Sequence, residues 1–185
     1  MDTTRVWSYV RGLIVANPHA GSVTPELVDD VVRRCDKHVG EVRVQWTTAA
    51  GDAVRVVRSA LTGPAAERPD LVVAVGGDGT VREVVTGLID SGHGDRSTLF
   101  VVPAGTGNSN YLAQWGDIAW PDALDSALGG EQATVRRLDL ARLVETDALV
   151  LLGACSGIVA EALQVARELP LTGRALYQEA FTRTT

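Results

Sequence analysis

The sequence predicts an α/β fold, a doubly wound parallel sheet followed by a partial, β-rich second domain. Three observations predict it. Strand-like and helix-like segments alternate from Gly12 to about Val102, the pattern of a parallel sheet with right-handed crossovers. Leu71-Val72-Val73-Ala74-Val75 is a continuous apolar run, the mark of a strand covered on both faces. Beyond residue 133 the texture changes: residues 135–144 and 148–154 read as two strands joined by Glu145-Thr146-Asp147, a hairpin rather than a crossover.

Each element has its own signal. Gly12 to Ala16 reads as the first strand, closed by the turn Asn17-Pro18-His19-Ala20-Gly21. Thr24-Pro25-Glu26 is a helix start: a capping hydroxyl, a proline at the first helical position and an acid near the positive end. Leu27, Val28, Val31, Val32, Cys35 and Val39 supply that helix's apolar face. Val42 to Trp46 is the second strand, and residues 47–52 the next turn. A helix over residues 53–61 puts Val54, Val57 and Leu61 on one side, and Gly63-Pro64 stops it. After the third strand, Val81, Val84, Val85, Leu88 and Ile89 recur at i, i+3, i+4, i+7 and i+8, one face of a helix. Residues 98–102 form the fourth strand. Helices are expected over residues 109–115, 121–128 and 158–168, the second of them ended by Gly129-Gly130. The expected organisation is an α/β domain over residues 1–125 and the first part of a second domain over 126–185, with no stop signal from Glu179 onward that would close it.

Composition narrows the function classes. Hydrophobic residues make up 45% of the 185 residues, enough for a packed core, and charged residues 22%. A net charge of −6 argues against nucleic acid as the main partner and provides no general attraction to an anionic membrane. Cys35 and Cys155 sit in apolar surroundings and read as buried free thiols of a reducing compartment, with no metal-site spacing. The first apolar run, Leu13 to Ala16, is too short for a signal peptide. The apolar region from Ala148 to Leu163 is broken by Gly153, Ser156, Gly157 and Glu161 and is too short to span a bilayer. A cytoplasmic protein that meets a membrane only from its surface is expected.

The chemistry concentrates in Gly76-Gly77-Asp78-Gly79-Thr80, between a buried strand and a helix N-terminus. Such a turn suits phosphate: bare backbone N–H groups, a favourable dipole and no side chains in the way. Asp78 repels phosphate but can hold Mg²⁺, which bridges phosphate oxygens. Turn and carboxylate together point to phosphoryl transfer more than to passive anion binding. The topology places the turns after Ala16, Trp46, Val75 and Val102 on one sheet edge, where open α/β sheets bind ligands. The last of these, Pro103-Ala104-Gly105-Thr106-Gly107-Asn108, is a second glycine-rich loop that offers N–H groups and the Thr106 hydroxyl.

Gly76–Thr80 and Pro103–Asn108, separated by one helix and one strand, resemble the catalytic domain of the diacylglycerol kinase family, which includes sphingosine kinases and bacterial lipid kinases. The resemblance runs from about Leu13 to Tyr177. Asn17-Pro18 and Gly21 are similar to the family's first nucleotide loop, Thr47 to the threonine of its second, and Glu83 to the acid that follows the glycine-rich turn. Arg137-Leu138-Asp139-Leu140 resembles the stretch that opens the family's second domain, a β-sandwich. The resemblance implies transfer of the γ-phosphoryl group of ATP to a lipid hydroxyl such as that of diacylglycerol, assisted by Mg²⁺, at a membrane surface. It implies nucleotide contacts at Asn17, Pro18, Gly21, Thr47, Gly76, Gly77, Asp78, Gly79, Thr80, Glu83, Gly105, Thr106 and Asn108. Asp78 would position the metal through water, with Asp139 an outer-shell member of that network.

Two departures accompany it. Ser109 stands where many members carry an aspartate. Most of the β-sandwich, with much of the lipid pocket and the carboxylate that serves as general base in bacterial members, has no counterpart in this sequence, so the catalytic base is unassigned. A partial second domain would leave sheet edges and apolar surface open to association, and a homodimer is one such outcome. Two other readings stand beside the lipid kinase: an NAD kinase-like enzyme using the same loop, and a truncated, inactive module that holds a nucleotide. Among single residues, Asp52 reads as a helix cap, His19 as a turn residue, and Trp115 and Trp120 as packing. Glu83 divides evenly between loop packing and nucleotide contact, and Asp139 between a strand-end hydrogen bonder and the metal network.

Overall fold

β3 (Leu71–Gly76) is buried at every residue. Around it the computed structural model, which describes residues 9–129, 134–171 and 173–184, builds a four-stranded sheet. Its other strands are β1 (Tyr9–Ala16), β2 (Val39–Trp46) and β4 (Thr98–Pro103), in the order β2-β1-β3-β4 and all parallel. The pairing is level at the carboxyl ends: Ala16 pairs with both Trp46 and Val75, and Val75 with Val102. Leu13, Ile14, Val15, Leu71, Val72 and Val73 are at most 2% exposed, and each such side chain stabilises the fold by about 1.5–3 kcal/mol. β2 is an edge strand, so most of its residues reach solvent.

The helices cover both faces. α1 (Pro25–Cys35) starts where the sequence signals it, with the Thr24 hydroxyl accepting from the Leu27 N–H at 3.2 Å, a cap worth about 1 kcal/mol. α1 packs with α5 (Trp120–Gly129) on one face. Arg34 ties the two together: it pairs with Asp30 and Asp125 and lies 5.6 Å from the centre of the Trp120 ring. α2 (Asp52–Thr62) and α3 (Asp78–Asp90) pack against each other on the opposite face, as right-handed crossovers from β2 and β3 require. α4 (Ser109–Trp115) follows β4, and its Trp115 ring lies 5.8 Å from that of Phe100.

The chain divides into two compact units between Asp139 and Leu140. Residue 125 lies inside α5, whose Ala123 and Leu124 are fully buried, so the sheet-bearing unit runs beyond it. The second unit holds a hairpin of β5 (Ala141–Arg142) and β6 (Leu149–Val150), then α6 (Ile158–Ala166) and α7 (Gly173–Thr184). The strands are far shorter than the sequence pattern suggests; among the described residues they form a two-stranded ribbon with no further strand beside it. α7 was not expected. It packs on α6 through Ala166, Leu176 and Ala180.

Two local expectations are corrected. Val39 is not on the face of α1; it opens β2, paired with Tyr9, because α1 ends at Cys35. Cys155 is exposed, whereas Cys35 is buried as expected and its thiol pKa is pushed up to about 12 by burial. Gly130, expected as part of the helix stop, lies outside the described residues.

Gly87 is a point of close approach in the α2–α3 contact. A Cβ there would lie 2.8 Å from the Val54 carbonyl oxygen and 2.8 Å from the Val57 Cβ. Gly87→Ala is expected to destabilise the chain by about 1–3 kcal/mol in chemical denaturation; an unchanged midpoint would mean the helices are not packed this closely.

Candidate functional site

Four loops converge at the carboxyl edge of the sheet, and backbone bonds fasten all four there; the Thr47 N–H donates to the Ala16 carbonyl at 2.9 Å. The Asn17 N–H donates to the Val75 carbonyl at 3.0 Å, Ala104 to Gly76 at 3.0 Å, and Ser22 to Ala104 at 3.1 Å. β1 has β2 on one side and β3 on the other, so the chain reverses direction between β1 and β3, the switch point where such sheets open a crevice.

Here that crevice is a cleft of about 440 Å³. Of the residues expected to touch a nucleotide, Asn17, Gly21, Thr47, Gly77, Gly79, Thr80, Glu83, Gly105 and Thr106 line it. Pro18, Gly76, Asp78 and Asn108 do not. His19, Ala20, Ala49, Ala50 and Ala53 complete the lining. The alanines carry no chemistry that a motif could flag; only their place points to them, Ala20 in the turn after β1 and Ala49, Ala50 and Ala53 in the turn and first helical residues after β2. No lysine or arginine is among the lining residues, and Glu83 is the one carboxylate.

The glycines divide by their physical cause. A Cβ on Gly105 would lie 2.4 Å from the Gly77 Cα, and one on Gly77 3.1 Å from the Gly105 Cα, so the two loops touch backbone to backbone. A Cβ on Gly76 would strike the Thr80 side chain at 2.6 Å. Gly79 and Gly21 are different: a Cβ on either meets nothing within 4 Å. Protein packing does not demand glycine there, and the space stays open in the cleft.

Gly77 sits at the N-cap of α3 and makes no side-chain cap. The first N–H groups of the helix therefore have no intrahelical acceptor and carry the positive end of its dipole. Beside them the Thr80 hydroxyl oxygen accepts from Asn17 Nδ2 at 3.0 Å, while Asn17 Oδ1 accepts the His19 N–H at 2.9 Å. With its oxygen occupied as an acceptor, the Thr80 hydroxyl keeps its one proton to donate.

Glu83 fixes the second loop: its Oε1 accepts the Gly51 N–H at 2.9 Å, at a glycine whose φ of +80° residues with side chains rarely adopt. Asp52 is the first residue of α2, one beyond the N-cap Gly51. Its carboxylate accepts the Thr48 N–H, with Arg55 and the Thr48 hydroxyl adding, and these bonds hold it below the usual carboxylate range.

Asp78 does not face the cleft. Its Oδ2 accepts the Ser109 N–H at 3.0 Å, and its Oδ1 accepts the Asn110 N–H at 2.9 Å and Asn110 Nδ2 at 2.7 Å. Asn108, in the left-handed region at φ +52°, turns its side chain back on Gly105 with two bonds of 2.8 Å. Asp139 is exposed and lies outside the cleft lining. Among the described residues no group of three or more His, Cys, Asp or Glu is placed to hold a metal.

The sequence profile of the diacylglycerol kinase catalytic domain matches residues 11–143. The chain belongs to that family. The chain is 36% identical over 99 residues to a diacylglycerol kinase of Bacillus subtilis (strain 168), covering 53% of the chain and 31% of the relative. It is 40% identical over 87 residues to the lipid kinase YegS of Escherichia coli (strain K12), covering 47% and 26%. A crystal structure of a diacylglycerol kinase from Bacillus anthracis str. Sterne shares the fold, with a TM-score of 0.58 at 24% identity over 74% of this chain and 47% of that one. The chain thus spans about a third or less of the length of these two curated relatives, and under half of others it matches.

The glycine contrast predicts opposite outcomes for the same substitution at two places in the chain. Gly105→Ala should lower stability by about 1–3 kcal/mol. Gly79→Ala should leave it unchanged or raise it by up to about 1 kcal/mol. Thermal and denaturant unfolding of the two variants measure this, and equal losses would contradict the open space at Gly79.

Proposed function

We propose that the cleft binds ATP, and that this unit serves transfer of the γ-phosphoryl group to a lipid hydroxyl such as that of diacylglycerol. The observation that carries the reading is the uncapped N-terminus of α3, opening with Gly79 and Thr80 into a cleft walled by a second glycine loop. The names of the relatives, a diacylglycerol kinase and a lipid kinase, support the acceptor class.

Phosphoryl transfer asks mainly for positioning and charge neutralisation. The N–H groups of Gly79 and Thr80 and the Thr80 hydroxyl would donate to phosphate oxygens, with Thr106 reaching from the opposite wall. Thr47 and the apolar wall of Ala49, Ala50 and Ala53 would take the nucleoside. Diacylglycerol is a membrane lipid, so the acceptor would be met at a membrane surface, with the domain on the cytoplasmic side. No described helix is long and apolar enough to cross a membrane.

Mg²⁺ would arrive on the nucleotide. The cleft lining has one carboxylate, Glu83, whose Oε1 accepts the Gly51 N–H, Asp78 is bonded to Ser109 and Asn110, and no cluster of three acids is present among the described residues. When bound, Mg²⁺ supplies the charge neutralisation that a cleft lined by Glu83 and no lysine or arginine does not.

Calorimetric titration with a non-hydrolysable ATP analogue tests the reading. Binding is expected, at least about tenfold tighter with Mg²⁺ than with EDTA, and Thr80→Val should weaken it by about 1.5 kcal/mol, the worth of a hydrogen bond to a charged group. In a transfer assay with radiolabelled ATP, label should enter diacylglycerol in mixed vesicles and not NAD. Absence of nucleotide binding would refute the site, and transfer to NAD alone would refute the lipid acceptor.

A further inference from the structure

We propose that Asp78 is the residue that positions the two glycine loops against each other, and that it does not hold the metal ion that comes with the nucleotide. The proposal rests on the nucleotide reading of the cleft. Asp78 is the first residue of α3, yet its carboxylate serves another helix: three donors of Ser109 and Asn110 reach it at 2.7–3.0 Å. Those N–H groups open α4, where the positive end of the backbone favours a carboxylate. The N-cap residue Asn108 does not cap that end, because its side chain is turned back on Gly105.

Asn110 is only 8% exposed, and Asp78 is the acceptor for both its backbone N–H and its side-chain amide. Turning the carboxylate toward a metal would leave a buried donor pair unsatisfied, which is costly. Ser109 brings no second carboxylate to share an ion with Asp78. The pair Asp78–Asn110 and the backbone contact of Gly77 with Gly105 close a ring that holds α3's open N-terminus at a set distance from Thr106. Asp78 thus acts on a bound phosphate through the loops it joins.

The test uses the whole chain with Asp78→Ala, Asn110→Ala and the double substitution, all at a temperature where each is folded. Three quantities are read: affinity for the ATP analogue at saturating Mg²⁺, the Mg²⁺ midpoint at saturating nucleotide, and amide exchange at Ser109 and Asn110. Asp78→Ala should weaken the analogue by about tenfold or more and Asn110→Ala by about threefold or more, with the double variant no worse than Asp78→Ala by more than about twofold, since the two act as one unit. The Mg²⁺ midpoint should stay within about twofold, and the Ser109 and Asn110 amides should exchange at least about tenfold faster in Asp78→Ala. The proposal is overturned by a tenfold shift in the Mg²⁺ midpoint confined to Asp78→Ala, by additive losses in the double variant, or by unchanged exchange at both amides. Should the unaltered chain bind no nucleotide, the reading of the cleft fails, and amide exchange alone decides the role of Asp78. If Asp78→Ala does not fold, Asn110→Ala decides it through analogue affinity and exchange of the Ser109 amide, which a loosened Asp78 should speed.

Discussion

The parallel pairing of β1 with β3 is the constraint on which the rest depends. It brings together two strands separated by a whole helix–strand–helix excursion and aligns their ends, Ala16 beside Val75. With the chain reversing direction there, the loops that follow β1 and β3 have no helix between them. Asn17 can then donate to the Val75 carbonyl and to Thr80, sixty-three residues away in sequence. A shift of β1 by one residue would turn Leu13 and Val15 to the opposite face and carry Asn17 away from Thr80. Burial of both strands makes such a shift expensive, so the precision of the cleft comes from the core.

Two helix N-termini lie side by side at this edge, and they are treated differently. That of α4 is satisfied internally by Asp78. That of α3 is left without a side-chain cap and faces the cleft. An uncapped helix end costs stability, of the order of 1 kcal/mol by comparison with a Ser or Thr cap, and α1 in the same unit has such a cap. The fold can supply caps; at α3 the open donors face the space left by Gly79. Glycine in this loop therefore has two separate causes. Gly76, Gly77 and Gly105 let backbone and side chains approach, while Gly79 leaves room.

Much of the fold was legible because it depends on local pattern. The buried run of β3, the Thr24-Pro25 start of α1 and the helical spacing after Val81 each report one element, and α4 begins and ends where its signal lies. The misplaced features are those that depend on distant partners. Val39 fits the apolar face of α1 by spacing, but its pairing with Tyr9 decides its state. Residues 135–140 read as a strand by composition and form none, since a strand persists only where another pairs with it. α7 has too weak an amphipathic pattern to announce itself, and it is recognisable only from its packing on α6. Cys155 looks buried by its neighbours in sequence and is exposed in the second unit.

By itself the sequence determined the α/β class, the edge of the sheet that carries the loops, and most of the residues that line the cleft. These follow from hydrophobic periodicity and from the rule that parallel strands end on one side. It also carried the family, through two glycine-rich loops at a fixed separation. Only the tertiary structure decided what each loop residue does. Asp78 stands in the turn that reads as the phosphate and metal loop, yet its partners are the N–H groups of Ser109 and Asn110, thirty-one and thirty-two residues on. Glu83 and Gly51 are likewise thirty-two residues apart. A hydrogen bond acts over about 3 Å, and no spacing along a chain states which distant donor the fold will bring within that reach.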